Sequence, residues 1–189
     1  MSMRWVAFGI LLGLLWLGGC GHMPMTSMVR LAKVDLASTD LSRLRAAVRT
    51  PRGLSPRPDQ SRLRVTVRIG ENAATQEFRL SALPEDGSLT ASAETQVTVF
   101  AINPRELARA EVFRDELKLR QKASGRSGGQ ITIEVAPDMC RTGALANGPL
   151  LFTTYLQTAE TGSFVVLAQD VDLRTLAGRD LVEKIPICS

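Results

Sequence analysis

A single histidine, His22, serves the whole 189-residue chain, two positions after Cys20. No histidine follows it, so neither a Ser-His-Asp nor a Cys-His nucleophile can be assembled from the body of the chain. Histidine-based zinc sites go with them, and Cys140 and Cys188 alone are too few for a structural zinc cluster. His22 reads as a tether residue facing whatever surface Cys20 faces. Asp170 and Asp172 form an Asp-x-Asp pair without the glycine and distal glutamate of a calcium loop, which makes them surface carboxylates near a strand end. The glycine-rich stretch 124–129 lacks the Gly-Lys-Ser/Thr ending and the preceding strand of a phosphate-cradling loop and reads as a connector. No Gly-x-Ser-x-Gly elbow and no dinucleotide fingerprint is present, so no cofactor and no metal is expected. Two kinds of chemistry remain. Paired carboxylates of the glycan-hydrolase type are conceivable, although nothing marks one pair out. Arg62, Arg64 and Arg68 alternate along one stretch and would line a face able to hold anionic lipid or polysaccharide.

Cys20 has a more specific context. Arg4 is followed by 13 almost wholly apolar residues, 5–17, and then by Gly18-Gly19-Cys20. A helix needs about 20 residues to cross a bilayer core; a charged start, a short apolar run and a small-residue exit mark a secretory signal. Leu17-Gly18-Gly19-Cys20 resembles the lipobox of bacterial lipoproteins. The resemblance covers the first tenth of the chain, and residues 27–189 carry no family motif. It implies a leader over 1–19, Cys20 as the first mature residue with acyl chains on its thiol and amine, and a lipidated tether over 20–26. Each buried CH₂ of such a chain contributes about 0.8 kcal/mol of membrane affinity. Gly21, where an aspartate would signal retention, implies sorting to the outer membrane of a Gram-negative envelope, facing the periplasm. The alternatives are an ordinary signal peptide whose cysteine pairs elsewhere and an uncleaved membrane anchor.

With Cys20 acylated, Cys140 and Cys188 are left as an even pair in an oxidising compartment. A disulfide there would close a 48-residue separation, worth on the order of 4 kcal/mol by chain entropy. It would also tie down an apolar C-terminal tail. The alternative is two buried free thiols. The formal charge of +4 is spread without a dense basic run, aromatics are 5%, and Tyr155 is the only tyrosine, so nucleic acid is not an expected partner.

The elements that would position these residues are mostly strands. Residues 61–69 alternate most clearly, with Leu63, Val65, Val67 and Ile69 on one face and Arg62, Arg64, Thr66 and Arg68 on the other. A hairpin to 75–80 would set Glu77 opposite one of the arginines. Further strands are predicted over 27–36, after a short turn over 44–49, and over 94–102, 130–136, 150–158 and 163–171. Residues 51–60, with three prolines, read as loop with solvated Arg52 and Arg57. Asn103-Pro104-Arg105-Glu106 is a helix start, and the helix should run to about 122. Leu107, Ala110, Phe113 and Leu117 form its first apolar stripe; Ala108, Val112 and Leu119 form a second, roughly opposite, which is either loop-covered or a partner surface.

Seven or eight short strands with one inserted helix (104–122) point to a mainly β, β-sandwich-like antiparallel domain over 27–189. The alternative is an α+β fold with a curved sheet and a helix packed across it. The sandwich core should include Leu63, Val65, Val67, Phe78, Val97, Val99, Ile131, Ile133 and Val165. The functional expectation is a membrane-anchored, non-enzymatic envelope lipoprotein, a binding or assembly module for an envelope protein partner. A carboxylate hydrolase and an anionic-lipid or polysaccharide binder are the alternatives.

Overall fold

The computed structural model describes residues 23–69, 71–84, 87–123, 130–178 and 182–188. The leader, Cys20, His22 and the connector 124–129 lie outside the described residues. The fold is mainly β and antiparallel with an inserted helix. A short helix α1 (Met25–Leu31) and a single 3₁₀ turn (Leu41–Arg43) lead into β1 (Arg45–Pro51) and β2 (Leu54–Pro56). β3 (Arg62–Ile69), β4 (Asn72–Leu83) and β5 (Thr95–Ile102) follow, then α2 (Pro104–Ala123). The chain finishes with β6 (Gln130–Ala136), β7 (Met139–Arg141), β8 (Leu151–Gln157), β9 (Val165–Asp172) and α3 (Leu173–Ala177).

One seven-stranded sheet runs in the order β6-β3-β4-β5-β1-β8-β9, and β2 pairs with β7 in a two-stranded ribbon. In a flat sheet four steps of about 4.8 Å would hold β6 about 19 Å from β1, yet their Cα atoms approach within 8 Å. The sheet is therefore folded over on itself. Strand β4 turns the corner: Asn72 to Arg79 pair with β3, while Leu80 to Leu83 pair with β5. A strand shared between two halves is how sandwich-like sheets make a corner. The enclosed core takes Leu63, Val65 and Val67 from β3, Phe78 and Leu80 from β4, Phe100 and Ile102 from β5, and Leu156 and Leu167 from β8 and β9. Helix α2 contributes Ala110, Phe113 and Leu117 to the same core, with the Phe113 ring centroid 6.0 Å from that of Phe78.

The helix start is as its sequence dictates. Asn103 Oδ1 accepts from the Arg105 N–H at 2.9 Å, and Pro104 takes the first helical position, where its missing N–H costs nothing. The β3–β4 register sets Glu77 opposite Arg64, one of the arginines that the hairpin would place across from it.

Several elements differ from expectation. The pattern over 27–36 predicts a strand, but Met25–Leu31 are helical and the chain then turns through Asp35, whose carbonyl accepts from the Ser38 and Thr39 N–H groups. Ser27 is buried and Val29 63% exposed, a helical and not an alternating distribution. Within 51–60, Leu54–Pro56 pair with β7, so the proline-rich stretch is not all loop. Its arginines are engaged: Arg57 bonds Asp138 at 2.7 Å, and Arg52 Nε donates to the Ala93 carbonyl. Val97 and Val99 are buried, but against Ala47 and Tyr155 on the outer face of the sheet, while Phe100 and Ile102 face the main core. Both faces of β5 are covered, which hides its alternation.

Candidate functional site

Cys140 and Cys188 form a disulfide, S–S 2.08 Å, between β7 and the C-terminal tail. The tail is held by backbone as well as by sulfur. The Arg141 N–H donates to the Pro186 carbonyl at 2.7 Å, the Cys188 N–H to the Arg141 carbonyl at 2.9 Å, and Arg141 Nε to the Ile185 carbonyl at 2.8 Å. The tail thus extends β7 as a parallel rung, Arg141 beside Ile187. Ile187 itself points outward at 76% exposure, so pairing and not burial of that side chain docks the tail.

On α2 the second stripe is bare. Ala108 is exposed, Val112 is 59% and Leu119 67% exposed. These three positions fall within about 40° of one another at 100° per residue. Asp115 interrupts the stripe and pairs with Arg114 at 3.1 Å, and Glu116 lies 3.7 Å from Arg120 beside it. The opposite face is anchored through Phe113 and through Arg109, whose guanidinium lies 4.5 Å above the Phe78 ring and bonds Glu106 and Gln76. Between α2 and the sheet is an apolar cavity of about 10 Å³, lined by Leu63, Val65, Phe78, Phe113 and Ile133 among others. That is room for about one water, against the hundreds of Å³ of a small-molecule pocket.

The three arginines of β3 project from one face but are not equivalent. Arg64 bonds Glu77 on β4 at 2.7 Å and Glu134 on β6 at 3.1 Å, and these carboxylates raise its pKa further above the ordinary guanidinium value. Arg62 Nη1 donates to the carbonyls of Asp59 and Ser61. Arg68, near the strand end, is exposed. The centre of the face is therefore already neutralised from both sides by the strands that flank it.

Asp172 caps α3. Its carboxylate accepts from the Leu150 and Arg174 N–H groups at 3.0 Å, and these bonds, the Leu150 N–H first, hold it below the usual aspartate range. Asp170 lies where the β8–β9 register slips, with φ +50°, and exchanges hydrogen bonds with Thr153: hydroxyl to carboxylate at 3.2 Å and N–H to hydroxyl at 3.1 Å. Beside them the Arg49 guanidinium stands 5.3 Å over the Tyr155 ring, with its Nε buried and without a hydrogen-bond partner. Burial, aided by the Asp170 charge, raises the Tyr155 pKa against the opposing pull of Arg49 and Thr153. The sequence marks Asp170, in its Asp-x-Asp pair, but does not join it to Arg49 and Tyr155 on the outer face. The cluster's other signal is one arginine in a strand otherwise buried on both faces, Ala46-Ala47-Val48-Arg49. The cluster holds a protonated phenol beneath a cation, with the Asp170 carboxylate at its exposed edge.

Among the described residues no group of three or more His, Cys, Asp or Glu side chains is placed to hold a metal ion. No protein-family model matches the chain, and no curated protein and no solved structure is significantly similar to it.

Proposed function

We propose that the protein is a lipid-anchored lipoprotein of the bacterial cell envelope, a non-enzymatic binding or assembly module held at the periplasmic side of the outer membrane. The observation that carries the reading is the division of labour among its three cysteines. Cys140 and Cys188 are bonded to each other, as suits an oxidising compartment, and Cys20 is left behind Leu17-Gly18-Gly19. The exposed stripe Ala108, Val112 and Leu119 is the partner surface, since apolar side chains rimmed by charge characterise protein interaction sites.

Charged substitutions test that surface. Val112→Glu and Leu119→Glu should change stability by less than about 0.5 kcal/mol, as surface substitutions do. They should abolish crosslinking to an envelope protein that the parent chain captures. Unfolding of the variants, or undiminished capture, would dismiss the surface. The anion-binding alternative has less support, because the Glu77 and Glu134 carboxylates already occupy Arg64.

A further inference from the structure

We infer that α1 is a membrane-docking element: Met25, Met28 and Val29 insert into the lipid surface at the foot of the anchor and fix how the domain stands on it. This rests on the lipid-anchor reading above. The three side chains recur at i, i+3 and i+4, on one face of the helix. Met25 is 75%, Val29 63% and Met28 37% exposed, while Ser27 on the opposite face is buried and Leu31 packs on the core. Water-facing apolar side chains gathered on one side of a helix gain free energy from an apolar neighbour.

The tether says which one. Met25 follows Cys20 by five residues, which at full extension span about 17 Å. Once Cys20 is acylated, α1 cannot leave the vicinity of the headgroups. The effective lipid concentration is then high, and a small apolar patch suffices to dock. Side chains of this kind settle about 5–10 Å into the headgroup–acyl boundary.

The docking would be rigid. Arg30 Nη2 bonds the Thr161 carbonyl and the Ser163 hydroxyl, both at 2.7 Å, clamping α1 to the connection between β8 and β9. That end of the sheet faces the bilayer. The disulfide-closed ribbon lies past the other end of β1, whose seven residues span about 20 Å. Leu176, on α3 beyond the far end of β9, is 68% exposed and stands away from the membrane.

Both tryptophans, Trp5 and Trp16, precede Cys20, so the mature chain has none and an introduced tryptophan reports alone. Val29→Trp, Met25→Trp and Leu176→Trp proteins, acylated and reconstituted in phosphatidylethanolamine–phosphatidylglycerol vesicles, are compared with and without bromine on the acyl chains. Val29→Trp and Met25→Trp should emit blue-shifted and lose most of their intensity to bromolipid, and Leu176→Trp should do neither. An acylated protein whose two α1 tryptophans both emit as in water, or whose Leu176→Trp is the one quenched, overturns the docking while leaving the anchor intact. The intact mass of the same preparations separates the two ideas: without acyl chains, the anchor and the docking fall together.

Discussion

Tyr155 is the residue whose environment can be read most cleanly in solution, because it is the only tyrosine and residues 21–189 contain no tryptophan. Its hydroxyl is buried beside Asp170, so the folded state holds the proton more tightly than the unfolded state does. The stabilisation is complete below the ordinary tyrosine pKa of about 10 and is lost as pH rises through the higher folded value. An ultraviolet titration should show phenolate forming at higher pH in the native protein than in urea; coincident curves would contradict the burial. Arg64 behaves differently. Its two ion pairs are half exposed, and exposed pairs contribute about 0–1 kcal/mol each. Arg64→Ala should therefore lower stability modestly, with a difference that shrinks in high salt.

The helix α2 separates burial from exposure within a single element. Phe113→Ala removes a ring packed on Phe78 and should cost about 3–5 kcal/mol. Val112→Glu, one residue away, should be nearly silent in the same denaturation assay. This helix, β3 and β6 were legible because each has one buried face and a clear start or stop: Asn103-Pro104 for the helix, strict alternation for the strands. Strand β5 was legible as a strand but not in its packing, since Val97 and Phe100 are both buried, on opposite faces. The three-residue strands β2 and β7 are too short for periodicity and are defined by pairing, with each other and, for β7, with the C-terminal tail. The sequence does not reveal α1, because Met28, Val29 and Leu31 suit a strand as well as a helix and seven residues leave too few turns to decide. The outer cluster of Arg49, Tyr155 and Asp170 comes from β1, β8 and β9, brought together only by strand order, which local pattern does not encode. The exposure of Val112 and Leu119 was open in the sequence for the same reason, since cover is a long-range fact.

Across the whole molecule, the carboxylates of Asp40, Glu160 and Asp172 are all held below their usual pKa values. For Asp40 the Ser42 hydroxyl is the main cause. For Glu160 burial pushes upward and is outweighed by hydrogen bonds from Thr158, its own backbone and Thr39. The folded state therefore binds fewer protons than the unfolded one through this range. The stabilisation is present above the usual carboxylate values of about 4 and is lost as pH falls through the lowered folded ones. Urea midpoints should drop below pH of about 5, and the Asp172→Asn protein should drop less. Reduction of the Cys140–Cys188 bond should lower stability by up to about 4 kcal/mol through the 48-residue separation it closes.

The intact mass of the purified protein, read beside fractionation of the Cys20→Ser chain, tests the proposed division of the three cysteines most directly. The parent should begin at Cys20, carry acyl chains, lack two hydrogens at Cys140 and Cys188, and fractionate with membranes. The Cys20→Ser chain should carry no acyl mass and should not be trimmed at that site. A Cys20→Ser protein that is trimmed there and still sits in the membrane would contradict the account.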